Sequence, residues 1–100
     1  MPSEEQILSW IRQGLVRYAD QLSGYRVVLF GSRSRRSHRA RSDFDLGVIG
    51  ERPLAEKTFH RIAEFLELLP TLHRIDWVDL NRVPEKLKAE ALKNSEVLYG

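Results

Sequence analysis

The sequence predicts a small α/β (α+β) domain in which a mixed sheet carries helices mainly on one face. Three observations support this. Apolar residues recur at helical spacing in three stretches, short β-prone runs lie between them, and 100 residues are enough for one hydrophobic core but short for a second. Apolar residues make up 42% and charged residues 30%, a balance that suits a folded domain and excludes a disordered chain. No internal repeat, low-complexity tract or linker divides the chain, so residues 1–100 are expected to form a single domain.

The elements follow in order. Ser3 with Gln6 three positions later reads as a capping box, and Ile7, Leu8, Ile11, Leu15, Tyr18, Ala19 and Leu22 recur every three or four residues. An amphipathic helix is expected there, ending near Ser23 and Gly24, where glycine suits a left-handed cap. Residues 26–30, RVVLF, carry a continuous apolar run after Arg26 that suits an interior strand, which Gly31 and Ser32 break. A short helical segment is expected over Arg33 to Arg36. Residues 42–49, SDFDLGVI, alternate, with Asp43, Asp45 and Gly47 on one face and Phe44, Leu46 and Val48 on the other. After Gly50, Pro53 is expected to open a long helix with Leu54, Phe59, Ile62, Ala63, Phe65, Leu66 and Leu69 on its inner side, closed before Pro70. Residues 73–80 give a third strand, Pro84 opens a last helix to about Lys93, and residues 97–99 make a short terminal edge strand.

Charge and composition narrow the function classes. Arg33, Arg35, Arg36, Arg39 and Arg41 contribute +5 with no intervening acid, which leaves −3 for the rest of a chain whose total is +2. A basic cluster on a slightly acidic body implies an anionic ligand held at one place rather than a uniform nucleic-acid coat. The chain has no cysteine, so disulfides and thiolate metal sites are excluded, and any metal must use oxygen or imidazole ligands. His38, His60 and His73 show no metal-ligand spacing. No apolar run approaches the length of a membrane span and the first residues lack a secretory pattern, so a cytoplasmic location with no membrane partner is the expectation.

The chemistry concentrates in Gly31-Ser32, ten residues, then Asp43-Phe44-Asp45, with Asp76 on the later strand. Residues i and i+2 of a strand share a face, so the Asp43 and Asp45 carboxylates lie side by side while Phe44 enters the core. Two like charges about 4 Å apart repel by roughly 4 kcal/mol at an effective dielectric near 20. A hard divalent cation relieves that strain, and magnesium favours a few carboxylates plus water and phosphate oxygens, the ligands a nucleoside triphosphate brings. Glycine at position 31 lets a phosphate approach the backbone, and the Ser32 hydroxyl and nearby amides can hydrogen-bond its oxygens. Arg33 and the arginines beyond it can add charge-assisted contacts. Asp79 lies on the same strand as Asp76 and becomes the third acid if a bulge shifts the register.

The string GSRSRRSHRARSDFDLGV resembles the signature of the minimal nucleotidyltransferase (MNT) group of the DNA polymerase β-like superfamily: GS, about ten residues, then DxD. The preceding helix and strand and the later acidic strand, Ile75-Asp76-Trp77-Val78, agree with that pattern. The resemblance implies that Asp43, Asp45 and Asp76 form a catalytic magnesium site, with two ions and ATP as substrate. It implies further that Gly31 and Ser32 bind the triphosphate, to which Arg33 is expected to add a charge-assisted contact. The expected activity is magnesium-dependent transfer of a nucleoside monophosphate, AMP from ATP, onto an acceptor. The group resembles the antitoxin half of HEPN/MNT toxin–antitoxin pairs, so a HEPN-type helical protein is the implied partner. The chain departs from the pattern at Arg36, where many members carry glycine, and at Ser34, where alanine is common. Neither position supplies a metal ligand.

Two other classes compete with catalysis. One is an inactive binding module that neutralises a helical partner by complex formation. The other is a nucleic-acid-binding domain working through the basic loop, which is disfavoured because no aromatic residue interleaves with the arginines. The sequence leaves homo-oligomer formation, base preference and acceptor open.

Overall fold

The computed structural model describes residues 2–30 and 44–100. Its elements are α1 (Glu4–Val16), β1 (Arg26–Phe30), β2 (Phe44–Ile49), α2 (Glu56–Glu67), β3 (Ile75–Asp79), α3 (Glu85–Lys93) and β4 (Glu96–Tyr99). The expected short helix over Arg33 to Arg36 and the arginine cluster lie outside the described residues.

One four-stranded sheet has the order β3-β2-β1-β4. β1 pairs antiparallel with both β2 and β4. β2 and β3 are parallel, as a connection long enough to hold α2 allows. The sheet is therefore mixed, as the sequence predicts, and its two edges are β3 and β4.

Side-chain alternation divides the sheet into two faces. Val27 and Leu29 of β1, Phe44, Leu46 and Val48 of β2 and Leu98 of β4 join Ile7, Ile11 and Leu15 of α1 and Ile62 and Leu66 of α2 in the main core. The alternate residues Val28 and Ile49 form a smaller cluster with Leu80 and with Ala91 of α3. Two helices thus cover one face, and α3 covers only part of the other.

Local chemistry sets the element ends. The Ser3 hydroxyl accepts a hydrogen bond from the Gln6 amide at 3.0 Å, satisfying one of the free donors at the start of α1. Periodicity carried the first helix to Ser23, whereas α1 ends at Val16 and a series of turns continues to Gly24. Bonds of the i→i+3 type, such as Tyr18 N to Leu15 O at 2.9 Å and Ala19 N to Val16 O at 3.1 Å, tighten that segment. Tyr18 and Leu22 still pack on the main core, so the tighter winding preserves the apolar stripe. Gly24 has φ +86°, the left-handed conformation that reverses the chain into β1. Pro53 does not open α2: the helix starts at Glu56 after Ala55. Its neighbour Leu54 is instead tied to the sheet, its amide donating to Asp79 Oδ2 at 2.8 Å.

The two helices over the main core meet closely at Gly14. A Cβ built there would lie 1.8 Å from Phe65 Cζ, so the absent side chain is the space the Phe65 ring occupies. No described helix is long and apolar enough to cross a membrane.

Candidate functional site

The register of the sheet places Asp45 of β2 beside Asp76 of β3 and opposite Phe30 of β1. Paired residues on adjacent strands point to the same face, with strands about 4.8 Å apart. The two carboxylates therefore stand next to each other on the face that α1 and α2 leave uncovered. Both lie one residue inside the starts of their strands, because β2 begins at Phe44 and β3 at Ile75.

Each neighbour along these strands goes to the core, which fixes the orientation of the acids. Phe44 is fully buried and meets His73 edge-on with ring centroids 5.5 Å apart. Leu46 is fully buried too. Trp77 stacks on Phe59 at 5.3 Å, and its indole Nε1 donates to Phe59 O at 3.0 Å. With Phe44 and Trp77 anchored in this way, a register slip that turned Asp45 or Asp76 inward would expose two large aromatics.

The structure separates Asp76 from Asp79, the alternative third acid. Asp79 is 5% exposed. Its Oδ2 accepts from the Leu54 amide and its Oδ1 from the Asn81 amide at 2.9 Å, with Arg82 Nε 3.8 Å from Oδ2. It faces the α2 side and clamps the entry to α2 and the turn after β3. No bulge shifts β3 against β2 between Ile75 and Asp79. The Asp76 side chain, by contrast, is 44% exposed, and its Oδ1 lies 3.7 Å from Arg74 Nε.

Gly47 continues the face of Asp45. A Cβ there would lie 2.7 Å from Leu80 Cδ1 and 3.0 Å from Phe30 Cε1. The missing side chain thus lets Phe30 lie across β2, immediately before residues 31 and 32. Beyond Asp76, a cleft of about 350 Å³ is lined by Leu69, Thr71, His73, Arg74 and Asp76 among others. Leu68 and Leu72, in the connection from α2 to β3, are more than 80% exposed.

Of the residues singled out from sequence, Asp45 and Asp76 are brought together. Gly31, Ser32, Arg33 and Asp43 lie outside the described residues, and so does His38. Among the described residues no three His, Cys, Asp or Glu side chains gather into a metal site. Two carboxylate donors on one accessible face do suit a hard cation that takes its remaining ligands from water and phosphate. Sequence reasoning missed Arg74 and the clamp role of Asp79. The first was legible as a cation two positions from an acid on a β-prone run; the second depends on a contact 25 residues away.

Comparison with known proteins agrees with the architecture. A chain of a toxin–antitoxin complex crystallised with AMP-PNP superposes with a TM-score of 0.63 at 23% identity, covering 89% of this chain and 73% of that one. A chain from the tri-AMPylated Shewanella oneidensis HEPN toxin in complex with MNT antitoxin gives a TM-score of 0.60 at 21% identity, over 93% of this chain and 72% of that one. The MntA–HepT toxin–antitoxin structure gives 0.59 at 20% identity, over 92% and 72%. At these identities the likeness establishes the fold. No curated protein matches significantly. The family model described as polymerase beta, nucleotidyltransferase, matches residues 20–100, a span that takes in the whole sheet, both acids and the Gly31-Ser32 motif, so the chain belongs to the polymerase beta nucleotidyltransferase family.

Proposed function

We propose that this domain is a magnesium-dependent adenylyltransferase whose acceptor is a HEPN-type helical protein, acting as the antitoxin of a toxin–antitoxin pair. The observation that carries the reading is the pairing of Asp45 with Asp76 across β2 and β3, beside the end of β1 that leads into Gly31-Ser32. Family membership supports nucleotidyl transfer. The choice of AMP and of a HEPN acceptor draws on what the structural neighbours are: complexes with AMP-PNP, an ATP analogue, and with an AMPylated HEPN toxin.

In this reading Asp43, Asp45 and Asp76 hold the metal, and Gly31, Ser32 and Arg33 seat the β and γ phosphates through amide, hydroxyl and guanidinium donors. Two magnesium ions, when bound, neutralise charge on the triphosphate and the departing pyrophosphate. The acceptor hydroxyl oxygen forms a bond to the α-phosphorus as the bond to pyrophosphate breaks, and Asp76 takes the hydroxyl proton. Asp45 and Asp76 are fixed by strands rather than loops, so their geometry is set before substrate arrives. The acceptor reaches them from the side of the 350 Å³ cleft, where Leu68 and Leu72 offer apolar surface to a protein.

The test is incubation of the protein and a HEPN-type helical protein with α-labelled ATP and magnesium. Label is expected on the helical protein, and its loss is expected with Asp43→Asn combined with Asp45→Asn. Absence of transfer by wild type, or its persistence in the double variant, ends the catalytic reading. The exposed Leu68 and Leu72 also favour a second reading, a binding module that neutralises a partner without chemistry. Full neutralisation by the double Asn variant would select it.

A further inference from the structure

We infer that Arg74 is a positioning residue that acts as the built-in counter-ion of the acidic pair, holding Asp76 in the metal-free protein and yielding it when a divalent cation binds. The inference rests on the reading of Asp45 and Asp76 as metal ligands.

The sheet register sets two carboxylates side by side at the Asp45–Asp76 pair, where like charges repel and a nearby cation relieves the repulsion. Arg74 stands at that place, its Nε 3.7 Å from Asp76 Oδ1. Its backbone is fixed at the same point, because its carbonyl accepts from the Phe44 amide at 3.0 Å, one residue before Asp45. The guanidinium is thus carried by a rigid strand start while its side chain is 74% exposed. Such a group is close enough to orient the carboxylate and exposed enough to leave it without a desolvation cost. A second arginine–carboxylate contact at β3, among the described residues, behaves differently. There Arg82 faces an Asp79 whose side chain is only 3% exposed and whose oxygens also accept backbone amides. That carboxylate is buried, whereas Arg74 and Asp76 are both substantially exposed and their contact is long.

A cation that takes the Asp76 oxygens must compete with Arg74, so the arginine sets a threshold for metal binding. It also keeps the acidic pair from binding cations tightly without the additional oxygens of a triphosphate. Removing an exposed ion pair shifts an equilibrium about two- to fivefold, and this is the effect expected on metal affinity.

The experiment measures Mn²⁺ binding to the full chain by electron paramagnetic resonance, without nucleotide, in wild type, Arg74→Ala, Arg74→Lys, Asp76→Asn and the Arg74→Ala/Asp76→Asn double variant. Arg74→Ala is expected to bind Mn²⁺ about two- to fivefold more tightly, with Arg74→Lys close to wild type. The gain should vanish in the Asp76→Asn background, which distinguishes a local contact from a general change in net charge. Arg82→Ala serves as a control and should leave Mn²⁺ affinity unchanged. If Asp76→Asn weakens binding but Arg74→Ala leaves it unchanged or weaker, the counter-ion role falls while the metal site stands. Mn²⁺ binding that is insensitive to Asp76→Asn overturns the metal-site reading, and the inference with it.

Discussion

Asp76 and Asp79 sit three residues apart on one strand, yet their replacement should have opposite consequences. In Asp79→Ala the buried Leu54 amide loses its 2.8 Å acceptor, and an unsatisfied buried donor costs about 1–3 kcal/mol. The Asn81 amide loses a partly buried partner at 2.9 Å, about 1 kcal/mol more. The contact to Arg82, whose side chain is 53% exposed, adds less than about 1 kcal/mol because solvent screens it. These losses share one carboxylate and are not independent, so a total of about 3 kcal/mol is expected. For a domain of this size that lowers Tm by roughly 12–24 °C. Asp79→Asn keeps one carbonyl oxygen and should lose about half as much. Asp76→Asn removes an exposed charge, a weak ion pair and a like-charge neighbour, and should alter stability by no more than about 0.5 kcal/mol while abolishing AMP transfer. Thermal unfolding followed by circular dichroism, with labelled-ATP transfer assayed well below every Tm, separates the two effects. An Asp79→Ala protein that melts within about 3 °C of wild type would refute the clamp. An Asp76→Asn protein that melts as low as Asp79→Ala, or that still transfers AMP, would refute the division of roles.

Three further outcomes are expected. Gly14→Ala drives a methyl group into the Phe65 ring and should cost about 1–3 kcal/mol in urea unfolding; adding Phe65→Leu should recover part of it, and no recovery would show that the two helices can simply part. Gly47→Ala pushes on Leu80 and Phe30, so it should cost about 1–2 kcal/mol and, on the proposed function, also raise KM for ATP, because Phe30 leads into the Gly31-Ser32 motif; an unchanged KM would detach that ring from the proposed nucleotide site. Trp77→Phe retains an aromatic against Phe59 but loses the indole hydrogen bond to Phe59 O, which should cost about 1 kcal/mol, read as a fall in Tm of roughly 4–8 °C; no change in Tm would mean that this bond contributes nothing.

Much of this fold is legible locally. The alternation of SDFDLGVI alone assigns Phe44, Leu46 and Val48 to the core, and all three are fully buried. The Ser3 cap and the start of the last helix after Pro84 follow from side-chain chemistry within one turn. What escaped depends on distant partners or on winding that leaves periodicity intact. The stripe from Leu15 to Leu22 reads as continuous α-helix because i→i+3 turns keep Tyr18 and Leu22 on the same side. Sequence places the start of α2 at Pro53, but the helix begins at Glu56 because the Leu54 amide is taken by Asp79, a partner 25 residues away. The pairing of Asp45 with Asp76 was legible as an association of motifs; their alignment in register is a property of the sheet.

The two faces of the sheet explain why a chain this small can hold like charges together. Stability comes from the side where α1 and α2 bury Phe44, Leu46, Val48 and their neighbours, and the strands are pinned there by Trp77 and Asp79. Among the described residues the opposite side is only partly covered: α3 packs near Val28 and Ile49, toward the far end of β2 from Asp45. At the other end of β2, the exposed Asp76 side chain lets solvent screen the repulsion, and an arginine stands within 4 Å of it. Burying that end would strengthen the domain's core but take the pair out of water, at a cost of several kcal/mol for each desolvated charge. The end of β2 that α3 does not reach is therefore where this sheet can carry paired acids, and the absent side chain of Gly47 leaves room there for Phe30 and Leu80.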